Sequence, residues 1–328
     1  MQREKVLIVG AGPCGLSTAI ELKNRGIDAL IIEKGNVADA IYHYPTHQTF
    51  FSSSDRLEIG DIPFVTERQK PVRNEALTYY RTVAERTGLR IHNYETVNSV
   101  KKSNDVFSIE TTNDRGLNKQ YEADYVILAT GYYGQPNSLN VKGEHLPHVF
   151  HYFKEAHPYF QKKVVVIGGK NSAVDATIEL EKAGADVTVL YRGSDYSPSV
   201  KPWILPLFDS LMRNEKATIH FNSTVKEITN THVIFDKNEE THQVEADFVF
   251  AMIGYQPDQG LLKDSGIEVD EQAVPQFNED TMETNVKGLY VSGVVASGYN
   301  NNKIFIENGR FHGGLIAEHI SQNESSGR

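Results

Sequence analysis

Short, unbroken apolar runs separated by polar, helix-favouring stretches organise this chain. Val6–Val9, Ala29–Ile32, Val164–Ile167 and Val187–Leu190 are aliphatic and largely β-branched, as expected of strands buried on both faces of a parallel sheet. Between the members of each pair lies a stretch rich in helix formers, Ser17–Lys23 and Asp175–Lys182. Gly26 and Gly184 follow, placed to end those helices. Laid against itself, the chain aligns residues 5–35 with residues 163–193 without a gap, an internal repeat. Strand, crossover helix and strand make a βαβ unit. Three further apolar runs, Ala123–Leu128, Phe248–Ile253 and Leu289–Val291, supply additional buried strands. The fold class expected is α/β, with two Rossmann-like, three-layer dinucleotide-binding domains.

The turn in the first copy reads Gly10-Ala11-Gly12-Pro13-Cys14-Gly15. The first glycine permits the tight turn, the second lets the backbone approach a pyrophosphate, and the third lets helix and strand pack closely. The helix start then offers free N–H groups and a positive dipole end to phosphate. Glu33, with Lys34 beside it, ends the second strand where a carboxylate accepts from ribose hydroxyls. The second copy, Gly168-Gly169-Lys170-Asn171-Ser172-Ala173, keeps the first glycine and a small last residue. It places Lys170 where the first copy has Gly12, so that side chain points away from the ligand or brings its ammonium to phosphate. Tyr191 and Arg192 stand where Glu33 and Lys34 stand in the first copy. Losing the acid relieves repulsion of a 2′-phosphate, and arginine supplies a fork-shaped donor for it. The second copy therefore reads as an NADPH site. The plainer alternatives are an ordinary tight βα turn and a surface arginine without a ligand.

At 328 residues the chain has the size of two ordinary domains. Its net charge of −10, from 33 basic and 43 acidic residues, argues against nucleic acid, which requires a basic footprint. No apolar run approaches the roughly 18 residues of a membrane helix, and strand pattern starts within the first residues, leaving no room for a signal peptide. The expectation is a cytoplasmic protein without a membrane partner. The one cysteine, Cys14, excludes an internal disulfide, a Cys-x-x-Cys redox pair and a multi-cysteine metal site. The twelve histidines show no His-x-x-x-His metal-ligand spacing beyond what chance would give, so no metal is expected.

The two glycine turns, the strand end Ala129-Thr130-Gly131, the stretch Gly254-Tyr255-Gln256-Pro257-Asp258 and the run Gly288–Gly293 together resemble the thioredoxin-reductase-like pyridine nucleotide disulfide oxidoreductases. The likeness covers nearly the whole chain. It implies a discontinuous FAD domain, residues 1–131 and 257–328, with an NADPH domain, residues 132–256, inserted between. Thr130, Gly131, Gly293, Lys303 and Ile304 then join the first glycine turn at FAD, and Gly254 joins the second at NADPH. The likeness also implies a homo-oligomer. In two features the chain departs from it: the NADPH domain has no cysteine pair, and Gly293 is followed by Val294, where the family usually has an acid holding the ribityl chain. Flavin contacts then fall to Asn300–Lys303 and Ile304–Gly309, if a helix begins there and aims its N-terminus at the flavin. Gly12–Gly15, Tyr44–Asp55, Ala129–Gly134, Phe150–Phe160, Tyr196–Pro206 and Ile304–Gly309 resemble most closely the branch of the family that reduces bacillithiol disulfide, Val294 included. The activity so implied is NADPH-dependent, FAD-dependent reduction of a small-molecule disulfide. Hydride passes from nicotinamide C4 to flavin N5, and the electrons go on to the disulfide.

Cys14 has two competing readings. At a helix N-terminus its thiol pKa falls, making it a catalytic nucleophile toward a disulfide. Alternatively it is a small, buried residue, since a residue in this turn faces pyrophosphate rather than the flavin ring. Thr46, His47, Gln48 and Ser52, in the polar loop after the first βαβ unit, are expected to line the flavin. His151 and His157 read as packed, hydrogen-bonded residues, and Trp203 with the prolines around it as a rigid loop near a bound substrate or simply a packed corner. Three other functions stay open. A flavin monooxygenase is one, because Phe150–His157 is similar to the Phe-x-Gly-x-x-x-His motif, without its glycine and with the histidine one place late. A ferredoxin or flavodoxin reductase is another, and a non-catalytic flavin redox sensor the third.

Overall fold

The computed structural model describes residues 2–300 and 302–326. The chain forms two compact units. The first comprises Met1–Tyr42, Gln48–Gln135 and Gln256–Arg328; the second comprises His43–His47 and Pro136–Tyr255.

The first unit opens with β1 (Gln2–Val9), α1 (Pro13–Asn24) and β2 (Ala29–Ile32), then α2 (Asp39–Tyr42), α3 (Arg73–Thr87), β3 (Arg90–His92), β4 (Glu95–Ser103), β5 (Val106–Asn113) and β6 (Asn118–Leu128). Its sheet runs β3-β2-β1-β6-β5-β4. The first four strands are parallel, with Val6 opposite Ala29 and Tyr125, and Val9 opposite Ile32 and Leu128. β4 and β5 add an antiparallel meander on β6. Leu7, Ile8, Leu30, Ile31, Val126 and Ile127 are fully buried, which is why these strands read as unbroken aliphatic runs.

The second unit contains β7 (Val149–Phe150), β8 (Lys163–Ile167), α4 (Asn171–Lys182), β9 (Asp186–Leu190), α5 (Leu205–Arg213), β10 (Thr218–His220) and β11 to β14 (Ser223–Ile228, His232–Lys237, Glu240–Glu245, Phe248–Ala251). Its sheet, β10-β9-β8-β14-β7, is parallel throughout, and β11-β12-β13 form a separate antiparallel meander. Each unit therefore has the same plan: a βαβ core, a third parallel strand at one side, a meander, and a returning strand beside the first. The duplication extends past the aligned residues to the whole unit.

The chain returns to the first unit through α6 (Gln259–Asp264), β15 (Leu289–Val291), α7 (Ile306–Gly309) and α8 (His312–Ser326). β15 pairs in parallel with β6, and α8 packs on α1. Gly313 sits against the Thr18 backbone. Thr18 Oγ1 and Ser292 Oγ share a 3.1 Å hydrogen bond, and Ser17 Oγ donates to the Arg310 carbonyl at 2.7 Å.

The unit boundaries fall at Gln135/Pro136 and Tyr255/Gln256, a few residues from those expected at 131/132 and 256/257. The short strip His43–His47 is a difference of another kind. It belongs with the second unit, where the Thr46 N–H donates to the Lys154 carbonyl at 2.8 Å and His47 Nε2 meets Asp175 Oδ2 of α4 at 3.2 Å.

Because a methyl group at position 313 would come within 2.6 Å of Thr18 Cα, Gly313→Ala forces α8 off α1. The expected cost is about 1–3 kcal/mol, read as a lower midpoint in a thermal or urea melt followed by circular dichroism.

Candidate functional site

The first turn is shaped by contacts that no side chain could enter. Gly10 has φ +109°, and a Cβ on it would lie 2.5 Å from the Ala129 carbonyl oxygen. A Cβ on Gly15 would overlap the Gly10 carbonyl oxygen. Gly12 is the opposite case, because a Cβ there would meet nothing within 4 Å. Pro13 occupies the first turn of α1, where a missing N–H costs nothing. Gly12 is the N-cap and no side chain caps the helix, so no side chain takes up its first-turn N–H groups. By contrast, α6 is capped by the Asp258 side chain, which accepts from the Leu261 N–H.

Glu33 braces this turn from the end of β2. Its Oε2 accepts from the Ala11 N–H at 2.7 Å and its Oε1 from the Gly35 N–H at 2.8 Å. Burial pushes its pKa up, and those two N–H groups work against the rise. Each carboxylate oxygen keeps a lone pair for a ribose hydroxyl. Thr130 and Gly131 (φ +67°) follow β6 at the same end of the sheet. Lys34 reaches across to Gly134, its Nζ occupying the space beside that glycine. An open turn, an uncapped helix and a buried acid together fit a dinucleotide.

The second turn repeats this geometry. Gly168 has φ +135°, its Cβ position crowded by the Met252 carbonyl oxygen and Ala173, so Ala173 takes the place of Gly15. Lys170 is the N-cap of α4, again without a side-chain cap. Lys170, Ser172 and Arg192 are exposed. Asn171, the first residue of α4, ties down the loop beyond β9: its Nδ2 donates to Ser199 O at 2.9 Å and its Oδ1 accepts from Lys201 N at 2.9 Å. The Tyr191 ring lies over Gly169 and Gly193, which explains why both are glycine. Gly254 (φ +92°) closes β14, with its carbonyl accepting from the Asn137 N–H at 3.0 Å.

The remaining expected site residues scatter. Ser52 does face the C-terminal segment, bonding Glu307. Gln48 turns to its own backbone, its Nε2 donating to Thr49 O at 2.8 Å. Thr46 and His47 find their hydrogen-bond partners, the Lys154 carbonyl and Asp175, in the second unit. The helix expected over Ile304–Gly309 is one turn, Ile306–Gly309; the long helix starts at His312. Lys303 O accepts from Asn308 Nδ2 at 3.0 Å, Ile304 is buried, and Asn301 lies outside the described residues.

Cys14 sits in the first turn of α1 with Sγ packed on Gly293 and Gly309. Burial, with the Glu307 carboxylate adding to it, pushes its thiol pKa up to about 12. Desolvation, the larger cause, works against the helix-activated thiolate expected from the sequence. Residues that sequence reasoning missed include His312, whose Nδ1 accepts from the Gly293 N–H at 3.1 Å, and Arg310, which fastens α7 to the Asp55 and Glu58 carbonyls at 3.1 and 2.5 Å. No local pattern marks either, because their partners are remote in sequence.

Two Rossmann-like units, each presenting an uncapped helix to a glycine turn, define a two-dinucleotide oxidoreductase. The chain belongs to the pyridine nucleotide-disulphide oxidoreductase family, which it matches over residues 7–293; FAD and a nicotinamide dinucleotide are the cofactors that go with that fold. It is 57% identical to the bacilliredoxin reductase of Bacillus subtilis strain 168, over 99% of this chain and 100% of that one. Its structure is similar to bacillithiol disulfide reductases from Bacillus cereus (TM-score 0.96, 55% identity, 98% and 100% of the two chains) and Staphylococcus aureus (TM-score 0.93, 56% identity, 99% and 100%). Among the described residues no helix is long and apolar enough to cross a membrane.

The state of Cys14 is open to measurement. With its thiol pKa at about 12, it stays protonated through the neutral and mildly alkaline range. Its alkylation by iodoacetamide in the folded protein, followed by mass spectrometry between pH 7 and 10, is expected to lag far behind that of a free thiol and to equal it after denaturation.

Proposed function

We propose that this protein is an NADPH-dependent flavoprotein that reduces bacillithiol disulfide, with FAD on the first unit and NADPH on the second. The observation that carries the reading is the divergence between two otherwise matching turns. One βαβ unit ends in a buried carboxylate bonded back to its turn, and the other ends in Tyr191 and an exposed Arg192. Glu33 suits the hydroxyls of a ribose and repels a 2′-phosphate, whereas Arg192 attracts one. The names of the relatives supply the substrate class.

The balanced reaction is NADPH plus a proton plus one disulfide, giving NADP⁺ and two thiols. FAD, when bound, supplies a two-electron carrier between nicotinamide and disulfide. The protein's own part is to hold and aim. α1 and α4 offer N–H groups to phosphate, Glu33 keeps the first turn closed, and Asn171 fixes the loop beside the second. Cys14 serves packing in this reading, so no thiol of the chain enters the reaction.

A second reading is favoured by the name of the Bacillus subtilis relative: the disulfide is carried by a small protein, bacilliredoxin, rather than by two bacillithiol molecules. Both readings share the site and differ in the acceptor.

NADPH consumption by the purified yellow protein decides between them, with bacillithiol disulfide, bacilliredoxin disulfide, cystine, glutathione disulfide and a ferredoxin as acceptors. Bacillithiol disulfide is expected to give the highest turnover when added alone. Arg192→Ala is expected to raise KM for NADPH about 10- to 100-fold, the range of a lost charge-assisted contact, and to leave KM for NADH unchanged. Equal KM values for the two coenzymes in the unaltered protein would remove the 2′-phosphate assignment.

A further inference from the structure

β1, β6 and β15 run parallel, so their carboxyl ends share one edge of the first unit's sheet. In an open α/β sheet a ligand lies along that edge, and the Gly12 turn opens there. β15 leads into Ser292-Gly293-Val294. Gly293 adopts φ +79°, with Cys14 Sγ and Cβ filling the space that a side chain at this position would need. Its N–H donates to Nδ1 of His312, the first residue of α8, at 3.1 Å.

An imidazole nitrogen that accepts a hydrogen bond carries no proton, so the neutral ring holds its proton on Nε2. Burial lowers the pKa of His312 and favours that neutral form. The ring as a whole is half-buried. Nε2 is not among the buried polar atoms that lack a partner, which in the described residues are His151 Nδ1 and Arg310 Nε. Its N–H is thus a fixed donor, open to solvent, at the strand end where a dinucleotide would lie. Val294, beside it, offers an aliphatic side chain with nothing to donate or accept.

We propose that His312 is a cofactor-binding residue: with Nδ1 locked on the Gly293 N–H, its Nε2–H donates to an oxygen of the ribityl–pyrophosphate portion of FAD. This rests on the reading that the first unit holds FAD. A neutral donor fits this place for two reasons. The ribityl hydroxyls and the phosphates all present acceptor oxygens, and an imidazole adds no negative charge beside the pyrophosphate, as a carboxylate at position 294 would. The hydrogen bond to Gly293 fixes both the tautomer and the ring plane, so the donor is aimed before the cofactor arrives.

Two measurements test this. FAD is stripped from the holoprotein and titrated back, with quenching of flavin fluorescence giving the dissociation constant. His312→Ala is expected to weaken it about tenfold, the effect of losing one hydrogen bond to the cofactor. In the unaltered protein labelled with ¹⁵N-histidine, the His312 Nε2–H proton is expected to shift downfield and to exchange more slowly with water once FAD is added. That second readout does not depend on the variant folding, and a merely structural role would not move it. An unchanged FAD affinity in a folded His312→Ala protein, or a His312 ring signal indifferent to FAD, would overturn the proposal alone. Failure of the unaltered protein to take up FAD would overturn the flavin reading and this inference with it.

Discussion

The close approach of α1 to the end of β1 is the constraint on which the rest of the first unit depends. It requires Gly15 to lie on the Gly10 carbonyl and Gly10 to lie on Ala129, contacts that leave no room for a Cβ. With the helix pressed this near, its N-terminus opens directly onto the carboxyl edge of the sheet. No side chain caps it, so its first-turn N–H groups and dipole are left for an anion. Glu33 closes the turn from the neighbouring strand, and Gly12 leaves the approach clear. The second unit meets the same constraint at Gly168 and Ala173. Repetition of a packing solution, more than repetition of letters, is what makes the two units alike.

On that shared scaffold, small electrostatic differences underlie the proposed assignment of the two ligands. A carboxylate bonded to two backbone N–H groups and an exposed guanidinium occupy equivalent strand ends. In the proposed reading the first disfavours an extra phosphate and the second favours one. Lys170, an exposed N-cap on α4, adds positive charge at the second turn alone.

Around Cys14 two effects oppose each other. A helix N-terminus stabilises a nearby negative charge by about 0.3–1 kcal/mol. Removing the thiol from water, with the Glu307 carboxylate nearby, works in the other direction and wins, taking the pKa to about 12. Cys14 packs between α1, Gly293 and Gly309. The sequence holds no second cysteine to pair with it.

The sequence by itself determined both βαβ units, their glycine turns, and the contrast between Glu33 and Tyr191-Arg192. These are local features: strand runs, helix propensity and turn residues act on neighbours within one βαβ unit. Only the tertiary structure decided that Thr46 and His47 go with the second unit, that burial raises the pKa of the Cys14 thiol, and that His312 supports Gly293. Each of those outcomes depends on a partner remote along the chain: Lys154 for Thr46, Asp175 for His47, Glu307 for Cys14, Gly293 for His312. Hydrogen bonding and desolvation are set by what surrounds a group in space, and periodicity along a chain carries no record of which distant segment will supply that surrounding.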